Sequence, residues 1–371
     1  MTGDKKNILG NLLIGLFVLG LGGCAAIYCA RAYEVDPWHF AGKQILWLSI
    51  GIVLFLLTAR IPFQTLKKAA FPIAAAFLVV LVLTVFFGVK VNNMSGWLKI
   101  PFTTIRLQPS ELAKPAYLLS LCLLAIRNGW SEWKRFLAVL ISTAIFCCLI
   151  FVQPDFGTAT IYAAMFPLLL ICSGFRKRYI FTALFGWIPP TLLFIFMHPY
   201  AMYRIKAFLS PENNQFRASW HINQFRITMA NGGWFGADGD KVTWANAYLP
   251  FSHSDSVFAT LVEASGLIGG TLVLLGFCVM IILFRKAALE TRDKEARLYI
   301  FCAGLMLITQ AFLHIGVNTT LIPPTGLPLP FFSYGGSNLA GVMLLLGTAC
   351  SAYRSGFSES QIDSETVKED E

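Results

Sequence analysis

Charge is what this sequence lacks. Only 13% of its 371 residues are Asp, Glu, Lys or Arg, against ~25% in soluble domains. The shortage is concentrated, and no charged residue interrupts the stretch from Ile8 to Ala30. A helix needs ~20 apolar residues to cross a hydrocarbon core of ~30 Å, so runs of this kind exclude a soluble chain. They also exclude strands, because a lipid-exposed run must satisfy its own backbone hydrogen bonds. A disulfide framework is missing too. The nine cysteines, at 24, 29, 122, 147, 148, 172, 278, 302 and 350, lie in or near apolar runs without metal-type spacing. They read as small hydrophobes. Acidic residues are few, 20 against 29 basic ones, for a formal charge of +9. In a soluble protein that balance suggests nucleic acid. Here the positives sort by side of a membrane, and no nucleic-acid partner is expected.

Apolar runs near 8–30, 42–59, 70–88, 109–126, 136–152, 158–174, 180–197, 257–284, 298–321 and 337–353 predict an all-α polytopic membrane protein of about ten spans. Alternate connections divide by charge. One side holds clusters such as Arg60, Lys67 and Lys68, Arg176 to Arg178, and Arg285 to Arg297. The short connections of the other hold Arg31, Lys43, Lys90, Lys99 and Arg106. The positive-inside rule then puts both termini in the cytoplasm, with one large extracytoplasmic loop, 198–256, between spans 7 and 8. Residues 1–354 form the membrane domain, and the acidic tail 355–371 is expected to be a disordered cytoplasmic segment.

The long loop keeps Arg204, Lys206, Arg217, Arg226 and Lys241 on the outer face. An anionic ligand would give them a purpose, and ordinary solvation of a long loop is the bland alternative. Its aromatics, among them Trp220, Trp234 and Phe235, favour the membrane interface.

Ionisable residues at membrane depth are costly and therefore mark candidate sites. In Gln108-Pro109-Ser110-Glu111-Leu112-Ala113-Lys114, Pro109 suits a helix first turn. Glu111 and Lys114, three apart, share a helix face, either as a structural pair or as part of a site. Asp155, in Gln153-Pro154-Asp155-Phe156-Gly157-Thr158, is placed to cap the next helix. The connection from Pro323 to Ser337 carries four prolines and three glycines beside Ser333 and Ser337, as a shaped, partly re-entrant cavity wall would. Asp255 falls at the mouth of the eighth span two residues after His253, and Glu263 follows two turns deeper on the same face. On composition alone Asp255 is an ordinary cap.

Together these segments resemble the SEDS family (shape, elongation, division and sporulation). The carriers are QPSELAK at 108–114, PDFGT at 154–158, HSDSVFA at 253–259 and TGLPLPFFSYGGS at 325–337. The stretches at 208–211 and 233–236 lean to the FtsW side over the RodA side. Departures are Glu263-Ala264 where the family has Glu-Glu, His314 where Asn is usual, and Ser256 where Phe is usual.

The resemblance implies a bacterial peptidoglycan glycosyltransferase of the cytoplasmic membrane that polymerises lipid II on its outer face. It implies a class B penicillin-binding protein as partner, among other divisome or elongasome membrane proteins. It maps the essential acid onto Asp255. Such chemistry needs a general base at the attacking hydroxyl and cations at the departing pyrophosphate. Asp255 is the expected base. An exposed Asp has a pKa of ~3.9, and cationic neighbours would lower it. Arg106, Lys114 and the five loop cations are the expected phosphate contacts, with Glu111, Glu263, Ser333 and Ser337 around the substrate and His253 and Asp155 as auxiliaries. No cofactor is required by the sequence. A divalent cation, Mg or Mn, is compatible, and Asp238-Gly239-Asp240 is a weak oxygen-rich hint. The rival readings are a lipid II flippase, suited by Glu111–Lys114 and the Pro/Gly-broken segments, and a non-catalytic scaffold.

Overall fold

In the computed structural model of the chain, the described residues form a helical bundle with a small cap at one end. Residues 1, 31–36, 92–93, 104, 190–195, 197–198, 213–216, 238–242, 250 and 370–371 lie outside the described residues, as do the side chains of 2–9, 30, 37, 91, 199–201, 217–218, 243 and 357–369. The first group of helices is α1 (Thr2–Ala30), α2 (Pro37–Arg60), α3 (Phe63–Phe87), α4 (Pro109–Ala125), α5 (Glu132–Val152), α6 (Phe156–Cys172) and α7 (Lys177–Gly186). Three short helices fill the long loop: α8 (Pro199–Leu209), α9 (Arg217–Gly232) and α10 (Thr243–Tyr248). The chain then runs through α11 (Val257–Glu290), α12 (Lys294–Asn318) and α13 (Gly336–Glu369). Among the described residues six helices are long and apolar enough to cross a membrane: α1, α2, α3, α5, α11 and α12.

Burial separates these helices where hydropathy does not. In α12, 67% of the spanning window is buried, against 22% in α3 and 28% in α2 and α11. Helix α4 is shorter, 17 residues, and buried on nearly every side. So α4 and α12 form the centre, and the outer helices turn apolar faces outward, with Phe86 75% and Leu272 63% exposed. A helix buried all round needs no polar face, and one in lipid needs none either. The tightest neighbour of α2 is α13.

Local chemistry sets the helix starts. Pro109 stands in the first turn of α4, as predicted. Asp155 caps α6, accepting from the Thr158 N–H at 3.1 Å. Asp293 caps α12, accepting from the Glu295 N–H at 2.8 Å, and with Glu295 it also holds Lys67 of α3. Asp293, Glu295 and Lys67 belong to the basic end predicted to be cytoplasmic.

Two features were not predicted. The connection from α3 to α4 folds into a three-stranded antiparallel sheet, β1 (Val89–Val91), β2 (Met94–Lys99) and β3 (Arg106–Leu107). Its registers pair Val89 with Trp97 and Lys99 with Arg106. The β-branched valines and alternating polarity are too short to stand out beside a span. Second, α11 is broken at Gly266, whose φ of 70° and ψ of −175° suit glycine alone. The freed N–H groups of Leu267 and Ile268 donate to the carbonyls of Gly233 and Trp234 in the long loop, at 2.9 and 3.2 Å. The half-helix that begins beside Asp255 is thus bonded to the loop through backbone.

The last helix, α13, is drawn on through the tail to Glu369. No proline interrupts it, and Glu, Gln and Lys are helix formers.

Candidate functional site

At the loop end of the bundle a cavity of about 640 Å³ opens between α2, the small sheet, the 251–256 turn and the start of α13. This is the size of a small-molecule pocket. One wall is apolar, with Leu46, Trp47, Ile50, Met94, Trp97 and Ile105. The other carries two carboxylates, Asp155 and Asp255, with His253, Gln108 and Asn338. Lys43 and Arg106 are the cations that line it.

Asp255 is held by backbone and by two connections. Asn318, at the end of α12, donates from Nδ2 to the Asp255 carbonyl at 3.1 Å and accepts from the Ala259 N–H at 3.1 Å. It therefore caps α11 in place of Asp255. The proline-rich connection clamps the same turn: Ser333 donates to the Ser254 carbonyl at 2.7 Å, and the Tyr334 N–H to the His253 carbonyl at 2.8 Å. Gly326 lies beside the carboxylate. Its φ is +72°, and a Cβ there would stand 3.6 Å from Asp255 Oδ2.

Electrostatics at Asp255 run against the sequence expectation. Burial pushes its carboxyl up to about 6. The Asp155 charge also raises it, while a Ser254 hydrogen bond and Arg204 lower it without prevailing. The predicted lowering by cations is corrected: one guanidinium does not offset the loss of water.

Asp155 is cap and cavity residue at once. Its second oxygen accepts from Gln108 Nε2 at 2.7 Å. Glu111 and Lys114 do pair, at 2.7 Å, with side chains 1–2% exposed, but they lie behind the cavity wall rather than on it. Lys114 also donates to Gln310 Oε1 at 2.8 Å, and Gln310 Nε2 donates to Asn338 Oδ1 at 2.8 Å and to the Pro328 carbonyl at 2.9 Å.

Several predicted contacts are placed elsewhere. Glu263 is fully buried and accepts from the Ala245 N–H of α10 at 2.8 Å, so it fastens the loop. Ser333 and Ser337 are spent on structure, Ser337 accepting from the Gln108 N–H at 2.9 Å. Arg204 donates to the Pro324 carbonyl at 3.0 Å, and Arg226 to Thr320 Oγ1 at 3.3 Å. Lys206 is exposed. None of these three lines the cavity. The Arg217 side chain, Lys241 and Asp238-Gly239-Asp240 lie outside the described residues. The sequence reading missed Lys43, Gln310, Asn318 and Asn338; only Lys43 left a signal, as a positive on the sparsely charged side.

Among the described residues no three His, Cys, Asp or Glu groups gather as a metal cage. A divalent cation here would have to draw further ligands from substrate oxygens, as Mg commonly does.

These features define a multi-pass helical membrane protein with a half-apolar, carboxylate-bearing cavity at one end. The chain belongs to the FtsW/RodA/SpoVE family of cell cycle proteins, whose model matches residues 8–355. It is similar to the probable peptidoglycan glycosyltransferase FtsW of Saccharophagus degradans, 32% identical over 349 residues, covering 90% of this chain and 89% of that one. The FtsW of Thioalkalivibrio sulfidiphilus is 33% identical over 355 residues, covering 91% and 88%. A solved chain from a peptidoglycan synthase complex that coordinates polymerization and crosslinking superposes with a TM-score of 0.80 at 25% identity, covering 94% of this chain and 98% of that one. The rod shape determining protein RodA of Thermus thermophilus shares the fold, with a TM-score of 0.68 at 23% identity over 93% and 96%.

Proposed function

We propose that this chain is a peptidoglycan glycosyltransferase that polymerises lipid II on the outer face of the bacterial cytoplasmic membrane. The observation that carries this reading is the setting of Asp255. Its backbone is capped by another residue, which frees its carboxylate, and that carboxylate lies in a cavity with cations on the wall and an apolar side toward lipid.

The chemistry follows from the groups present. The acceptor sugar hydroxyl attacks the anomeric carbon of the donor, and the bond from that carbon to the lipid diphosphate breaks. The hydroxyl proton passes to Asp255, and the electron pair leaves with the diphosphate. Direct displacement inverts the anomeric centre. Lys43 and Arg106 are the cations that meet the departing charge. The apolar wall of Trp47, Ile50 and Met94 accepts the first isoprene units.

Both termini lie in the cytoplasm in this reading, and the partner is a single-span class B penicillin-binding protein. The likeness to a chain of a peptidoglycan synthase complex supports the partner, and the charge asymmetry of the connections supports the orientation. Single cysteines at 176–178 and 285–297 should resist an impermeant thiol reagent in intact cells, and those at 220 and 234 should react; the reverse pattern overturns the orientation. The decisive test of activity is polymerisation of lipid II by the purified chain, with and without Asp255→Asn.

A further inference from the structure

Asn338 is the third residue of α13 and lines the cavity at 4% exposure. Its amide orientation is fixed by a relay that starts at a charge. Lys114 is a donor without acceptors, so it requires the oxygen of Gln310, which it meets at 2.8 Å. That leaves Gln310 Nε2 to donate, and it does so to Asn338 Oδ1 at 2.8 Å. Asn338 must therefore keep its oxygen toward the bundle interior. Its Nδ2 has no partner among the described residues, and an unpaired buried donor is costly.

A second observation concerns the helix start. Gly335 and Gly336 also line the cavity, and a helix N-terminus presents free N–H groups and a positive dipole end. Gly336 is required there, since a Cβ would meet the Trp47 ring at 2.2 Å. Trp47 is thus laid against the first turn as an apolar neighbour. Lys43 and Arg106 add positive charge to the same cavity.

From this convergence we infer that the first turn of α13, with Asn338 Nδ2 as its side-chain donor, is a diphosphate-binding subsite. Lys43 and Arg106 share it. The Glu111–Lys114–Gln310 relay positions Asn338 rather than touching substrate. The polymerase reading supplies the identity of the ligand, the diphosphate of the lipid-linked donor.

Asn338→Asp tests the subsite. A carboxylate in a first turn favours the helix but repels an anion, so structural and ligand roles move in opposite directions. The probes are farnesyl diphosphate and farnesyl monophosphate, titrated against the purified full chain in detergent. The wild type should bind the diphosphate at least ~10-fold more tightly than the monophosphate. Asn338→Asp should lose at least ~10-fold of diphosphate affinity, the scale of a hydrogen bond to a charged group, with its melting temperature kept. Lys43→Ala and Arg106→Ala, both at exposed positions, should each lose several-fold. Unchanged affinity in Asn338→Asp overturns the subsite; should that variant not fold, unchanged affinity in both cation variants overturns it. A wild type that binds diphosphate but does not polymerise lipid II contradicts the polymerase reading and leaves the subsite standing.

Discussion

Gly326 and Asp255 are packed so closely that a single methyl group on the glycine would stand 3.6 Å from the carboxylate oxygen. That contact by itself is ordinary van der Waals distance. The backbone is the tighter constraint, because a φ of +72° is one that side chains other than glycine's rarely adopt. Gly326→Ala should therefore shift the connection that packs beside Asp255. The expected result is polymerisation reduced by about ten-fold or more, with a stability loss of about 1–2 kcal/mol from the strained residue. Parallel rate and melting measurements check it.

The buried pair Glu111–Lys114 should behave as a unit. Removing one partner strands a charge at about 3–5 kcal/mol, whereas removing both costs much less. Glu111→Gln and Lys114→Met should each lower the melting temperature strongly, and the double variant should be less damaged than the sum. Additive effects in that cycle would contradict the coupling of Glu111 to Lys114.

The pH dependence has a definite sign. A carboxyl raised to about 6 is ionised above that value and protonated below it. The base form is lost as pH falls, so kcat/KM should fall on an acid limb near pH 6 rather than near 4. The same upward shift means that the ionised group costs stability in the folded state above its unfolded pKa, a cost relieved as pH falls. Asp255→Asn should accordingly melt no lower than wild type at neutral pH, and the limb should vanish with it.

Gly266 joins the site to the long loop. A Cβ there would meet the Trp234 carbonyl at 2.2 Å, and no other residue type tolerates its backbone angles. Gly266→Ala should release the loop from α11, costing at least about 2 kcal/mol by strain and lost bonding. Limited proteolysis should then cut the loop faster than in wild type.

The apolar runs were legible because each helix had to be long enough for lipid, and nothing else in the sequence is that long. Which helices sit at the centre was not legible, since α3 and α12 are both apolar while one faces lipid and the other protein. Asp255 was legible as a position from its motif. Its environment was not, because burial outweighed Arg204 and sequence does not report burial. The loop cations were visible but their partners were not: Arg204 meets a backbone carbonyl, and every residue has one of those. Gln310 and Asn338 were passed over for the same reason, as their roles depend on which way Lys114 turns an amide.

Asp255→Asn tests the central claim most directly, because Asn318 already caps the helix and the substitution changes little besides charge. Polymerisation of lipid II by the purified variant is the measurement. The account predicts normal folding and a rate at least ~100-fold below wild type, the low end for loss of a general base. A variant that polymerises at the wild-type rate would contradict it and place the catalytic base elsewhere.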